Sequence, residues 1–129
     1  MERYYSYRPV LRLVCDTSFL LEVVRRRLFT DIIDRFTPLE IFIVKPVYKE
    51  LYRLKERVPE ANVILSLLEK YDFIKLLEYG EGDVADEAVL RFACENGYVL
   101  ATTDRGLRRR AMERGCRVLF IRGSWLSME

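Results

Sequence analysis

The chain has no histidine, no glutamine, two asparagines and three cysteines among its 129 residues. Each absence excludes some chemistry. Without histidine there is no Ser-His-Asp or Cys-His catalysis, no histidine acid–base pair and no zinc site that uses imidazole. Cys15, Cys94 and Cys116 are odd in number and widely spaced, with no CxxC. An all-cysteine zinc site needs four thiolates, and a disulfide framework needs an even set. All three read as small core residues in apolar segments, and no histidine is present to activate one as a nucleophile. No apolar run approaches the ~18 residues of a membrane span. The opening MERYYSYRPVLRLVCD lacks the unbroken apolar stretch and small-residue cleavage site of a signal peptide. The expectation is a soluble, cytoplasmic protein with no membrane partner. Any chemistry must come from carboxylates, hydroxyls, Lys, Arg or a metal held by oxygen.

Half the residues are apolar and a third are charged. A chain of this length makes one domain and buries roughly two-thirds of its unfolded surface, enough to fold alone. Net charge is only +2, but 17 of the 22 basic residues are arginine. The planar guanidinium matches phosphate geometry, so a modest net charge is compatible with a phosphate-binding patch. Scarce Gln and Asn is a weak sign of a hot environment.

Strand-like and helix-like stretches alternate along the chain. Apolar runs at 10–15 (VLRLVC), 41–44, 73–77, 98–101 and 117–121 read as strands. Helices are expected over 17–27, 30–36, 47–55, 59–70, 83–97 and 105–114, with Pro46 and Pro59 at helix starts, Asp83 as an N-cap and Gly115 as a C-cap. Such alternation predicts a three-layer α/β/α fold with a central parallel sheet of four to five strands. The expected boundaries are an N-terminal arm at 1–9, a folded domain at 10–122 and a C-terminal tail at 123–129. Tyr4, Tyr5 and Tyr7 in the arm suit either base stacking or packing on the domain or a second subunit.

Ligands of open α/β sheets bind beyond the C-terminal ends of the strands. Asp16 follows VLRLVC there, and Asp104 comes shortly after YVLA; each has hydroxyl neighbours, in Asp16-Thr17-Ser18 and Thr102-Thr103-Asp104. Each aspartate reads alone as an N-cap, and the two together read as a shared site. Glu50 lies at the edge of the Val47, Leu51, Leu54 stripe, either solvated or turned to the sheet edge. Asp86 sits in the first turn of its helix, where the dipole favours an acid in any case.

The order Asp16 in DTSFLL, Glu50 in VYKEL, Asp86 in ADEAVLRFA and Asp104 in ATTDRGLRRR resembles the PIN-domain nucleases over 10–122. The resemblance implies a parallel α/β domain whose strand-end carboxylates hold Mg²⁺ or Mn²⁺ to cleave RNA, with Asp16, Glu50, Asp86 and Asp104 as catalytic metal ligands. The string from 85 to 122 is more similar to the archaeal and eukaryotic ribosomal-RNA-processing PIN proteins than to the VapC toxins. It departs from them in Glu87 for a second Asp and in Thr103 where Asn is common. Asp83 is an alternative to Asp86 as third ligand. The resemblance implies RNA as partner and admits a homodimer, a ribosome-assembly partner or an antitoxin. A VapC-type toxin and a non-catalytic RNA- or protein-binding module are the competing functions.

The chemistry suits these residue types. Mg²⁺ takes oxygen ligands, and two ions ~4 Å apart can activate water and stabilise both in-line oxygens of a phosphodiester without histidine. Carboxylates held together without metal repel, so some should bind protons more tightly than usual. Thr17, Ser18 and Thr102 would steady them. Arg105, Arg108 and Arg109 share a helical face suited to RNA phosphates, or else form a solvated face pairing with Glu113. The run Arg25-Arg26-Arg27 is equally explained by the end of a helix.

Overall fold

The protein's structure is a computed structural model describing residues 9–129, so Tyr4, Tyr5 and Tyr7 lie outside the described residues. In chain order the elements are β1 (Leu11–Cys15), α1 (Thr17–Arg25), α2 (Phe29–Phe36), β2 (Leu39–Val44), α3 (Lys45–Leu54), α4 (Pro59–Lys70), β3 (Ile74–Leu77), α5 (Ala85–Asn96), β4 (Val99–Ala101), α6 (Arg105–Glu113), β5 (Val118–Arg122) and β6 (Trp125–Met128). They form one sheet of order β3-β2-β1-β4-β5-β6. The first five strands run parallel, and β6 is antiparallel to β5. No described helix is long and apolar enough to cross a membrane.

The core follows the two-residue period of the strands. Leu13, Cys15, Ile41, Ile43 and Ile74 point to one face, where they meet Phe19, Leu20 and Val23 of α1, Ile32 of α2 and Ile64 of α4. On the other face Phe42 stacks on Tyr98 at 5.4 Å and meets Phe92 of α5 at 6.3 Å. Helices therefore cover both faces, as the alternation predicts.

The sheet is one strand larger than expected. Residues 123–129, expected as a tail, carry β6, and Leu126 is buried against the core. The reason is local. Gly123 at φ +61° opens a two-residue turn that returns the chain beside β5 and pairs Arg122 with Trp125.

The cysteines also differ from expectation. Cys94 on α5 and Cys116 before β5 form a disulfide, with Cα atoms 5.5 Å apart, and only Cys15 remains as a buried free thiol. An odd count accommodates one pair plus one core residue. The cross-link closes a 22-residue span, which in the chain-entropy account stabilises the fold by about 3 kcal/mol. Reduction with dithiothreitol should lower the unfolding free energy in urea by about that much; an unchanged midpoint would contradict it.

Asp83 does not cap α5. The cap position is Val84, without a side-chain hydrogen bond, while Asp83 pairs with Arg91 at 2.5 Å. The loop before it turns at Gly80, with φ +79°, where an added Cβ would stand 2.8 Å from the Ala88 Cβ. Left-handed backbone costs a side-chain residue about 1–2 kcal/mol and overpacking about 1–3 more. Gly80→Ala should therefore destabilise the protein by about 3 kcal/mol in thermal or urea unfolding and displace the start of α5. A loss under about 1 kcal/mol would show that the loop adapts freely.

Candidate active site

The sheet order reverses between β1 and β4, the place where open α/β sheets leave a crevice. Cys15 pairs with Ala101 at the C-terminal ends of these strands. One residue further, the Asp16 amide donates to the Ala101 carbonyl at 3.0 Å and the Thr102 amide to that of Leu119 at 3.1 Å. The parallel register thus brings Asp16 and Thr102 side by side. They are the buried polar side chains among the described residues, Asp16 being 4% exposed and Thr102 fully covered.

Among the described residues, no buried side-chain polar atom lacks a hydrogen-bond partner. Asp16 Oδ1 accepts from the Phe19 amide at 2.8 Å, capping α1, and from the Ser18 hydroxyl at 3.2 Å. The Thr102 hydroxyl donates to Asp16 Oδ2 and accepts from the Asp104 amide at 2.9 Å. Asp104 Oδ1 in turn accepts from the Leu107 amide at 3.0 Å, capping α6. Thr103 donates to the Ser18 hydroxyl at 2.7 Å, joining the β4–α6 turn to α1. The Thr17 hydroxyl donates to Glu50 Oε1, which draws α3 to the same point. Each aspartate caps a helix, and both belong to one hydrogen-bonded cluster.

The charges show how the cluster closes. Burial, chiefly, pushes the Asp16 carboxyl up to about 6, with the Asp86 charge adding to it; hydrogen bonds from Thr102, the Phe19 amide and Ser18 oppose the rise. Asp86 is also raised, first by partial burial and then by the negative charges of Asp104 and Glu50, against the pull of Arg110. Asp16 thus feels the charge of Asp86, and Asp86 the charges of Asp104 and Glu50, whereas Asp83 is held by Arg91. Among the described residues, no three Cys, Asp or Glu side chains close on one point as a finished metal cage.

Arg105 and Arg108 border a hollow of about 260 Å³ beside Asp104 and also, with Arg109, Met112, Glu113 and Glu129, an open groove; Arg109 borders the groove but not the hollow. Pairing of this helix face with Glu113 is not found among the described residues; Arg110 instead pairs with Glu87 at 2.6 Å. Arg25 and Arg26 are engaged by Glu22 at 2.9 and 3.4 Å, which supports a structural role for that run.

Fold and site together define an open-sheet α/β domain with an acidic centre at its topological switch point. Residues 13–124 match the model of the PIN-like domain, and the chain belongs to that family. Among solved structures it is similar to the PIN domain endonuclease Utp24, with a TM-score of 0.75 at 20% identity, covering 92% of this chain and 90% of that one. It also aligns with PAE2754 from Pyrobaculum aerophilum at a TM-score of 0.48 and 17% identity, covering 83% of this chain and 98% of the other, a likeness too low to carry an argument. No curated protein matches the sequence.

Proposed function

We propose that the chain is a divalent-metal-dependent endoribonuclease that hydrolyses RNA phosphodiesters at Asp16, Glu50, Asp86 and Asp104, with a role in ribosomal-RNA processing. The observation that carries the reading is a carboxylate buried at the crevice and held by a buried threonine, in the field of Asp86, which itself feels Asp104 and Glu50. A fold gains nothing from gathering like charges in this way unless a cation relieves them. Family membership and the likeness to a PIN domain endonuclease agree with it. The role in ribosomal-RNA processing rests on the motif string at 85–122.

The donor set fits Mg²⁺ or Mn²⁺: carboxylate and hydroxyl oxygens, without imidazole. A bound ion would activate a water as the nucleophile and neutralise charge at the phosphate. The chain's own residues do the rest. Thr102 fixes the Asp16 carboxylate, Ser18 and Thr103 lock the two turns, and Thr17 orients Glu50. Arg105 and Arg108 stand where they would bind the RNA backbone beside Asp104.

Calorimetric titration of the chain with Mn²⁺ and with Mg²⁺ tests this. The wild type should bind, and Asp16→Asn should bind at least tenfold more weakly. Absence of binding by the wild type, even with RNA present, would remove the nuclease reading.

A further inference from the structure

The hollow beside Asp104 is also bordered by Arg122, the last residue of β5, together with Arg105 and Arg108. Two of these guanidiniums share one buried ring: Arg108 lies 4.1 Å and Arg122 5.4 Å from the centroid of Phe120, which is 4% exposed. Such stacking orients a guanidinium while leaving its N–H fork open. The ion pairs of the described residues engage Arg12, Arg25, Arg26, Arg91, Arg110 and three lysines, and none of them uses Arg105, Arg108 or Arg122. The hollow is thus lined by three arginines that form no ion pair among the described residues, together with Asp104 of the acidic centre.

The cross-strand partner of Arg122 is aromatic. Arg122 and Trp125 are directly opposite across the β5–β6 hairpin, so their side chains lie on the same face of the sheet. Trp125 is 73% exposed, the most exposed large apolar side chain described. The turn that presents it is tied down, because Arg26 donates to the Gly123 carbonyl. This sixth strand opens on an uncovered indole, and its burial comes from Leu126 and, in part, Met128.

Resting on the nuclease reading for the identity of the strand, we infer that this corner is a single-stranded RNA subsite. Arg105, Arg108 and Arg122 take a phosphodiester flanking the bond to be cut, and Trp125 stacks on the base attached to it. Open arginines beside an exposed aromatic are the combination that binds unpaired nucleotides, since every base offers a π-face. A duplex keeps its bases stacked inside and offers none to an indole, so the subsite selects unpaired RNA.

Trp125 is the only tryptophan in the chain, so its fluorescence reports on this position alone. The experiment titrates the full chain in EDTA with an RNA oligouridylate, a DNA oligomer of equal length and a blunt RNA duplex. Single-stranded RNA should quench Trp125 by a third or more, and the duplex should leave it nearly unchanged. In anisotropy with labelled oligouridylate, Arg122→Ala should bind about fivefold more weakly and lower the slope of log K against log salt by about one. Trp125→Ala should lose about tenfold, and Trp125→Phe should recover most of it. Tighter RNA than DNA binding supports RNA as the strand; equal or tighter DNA binding overturns that assignment. The subsite itself is overturned if RNA binds without quenching, if the duplex quenches equally, or if Arg122→Ala and Trp125→Ala bind as the wild type does. A Trp125 emission shift with protein concentration alone would assign the indole to self-association and overturn it as well. Cleavage with Mn²⁺ is read separately. A wild type that cleaves RNA but shows no quenching keeps the nuclease reading and loses this subsite, and quenching without cleavage does the reverse.

Discussion

Asp16→Asn should abolish RNA cleavage and at the same time make the metal-free protein more stable at neutral pH. The folded carboxyl titrates near 6 against an ordinary value of 3.8. Between these values the folded state holds the proton more tightly than the unfolded chain. The Asp16 contribution therefore favours folding below about pH 4, declines as pH rises toward 6, and is fully unfavourable above it. A shift of this size corresponds to roughly 3 kcal/mol. Asparagine keeps an oxygen for the Phe19 amide, so α1 stays capped. Its amide gives back part of the gain at the Thr102 hydroxyl, leaving an expected advantage of about 1–3 kcal/mol at pH 8 that vanishes near pH 4. Urea unfolding of both proteins in EDTA at the two pH values measures this difference, and subtraction removes the other carboxylates. Cleavage should fall by at least ~10³-fold, as when a group acting directly at the reacting centre is lost. A variant less stable than the wild type at pH 8 would mean that Asp16 is there for the fold.

Thr102→Val should have the next largest effect, from a side chain fully covered from solvent. Its hydroxyl joins the two aspartates, donating to Asp16 and accepting from the Asp104 amide. Valine fills the same space and removes both bonds. Loss of a donor moves the Asp16 carboxyl above 6, since that hydrogen bond now holds it down. The pH profile of kcat/KM should shift toward alkaline pH, with activity at pH 7 down by about 10–100-fold. Stability should fall by about 1–3 kcal/mol, the usual cost of leaving buried groups unpaired. Thr102→Ser, which keeps the hydroxyl, should restore the profile. A valine variant with an unmoved profile would reduce Thr102 to packing.

Strand–helix alternation was legible because the strands are short apolar runs between glycine, proline and aspartate signals. The positions of Asp16 and Asp104 at strand ends followed from it. Strand order was not legible. Asp16 meets Thr102 only because β1 and β4 are neighbours, and nothing within either segment states that. Glu50 shows the same limit: helical periodicity placed it at a stripe edge, and its hydrogen bond from Thr17 settles which way it turns. Asp83 was misread as a cap because a local signal lost to a partner eight residues on, Arg91. The Cys94–Cys116 pair and β6 were missed for a common reason, since both depend on which segments pack together. The Gly123-Ser124 pair between apolar residues was a hairpin signal, and with it Arg122 and Trp125 would have come into view.

The most direct test of the account is cleavage of a labelled single-stranded RNA by the wild type and by Asp16→Asn, each with Mn²⁺, with Mg²⁺ and with EDTA. The account predicts internal cleavage by the wild type only when a divalent ion is present, and none by the variant under any condition. Cleavage that persists in EDTA, or that survives in Asp16→Asn at the wild-type rate, would contradict it.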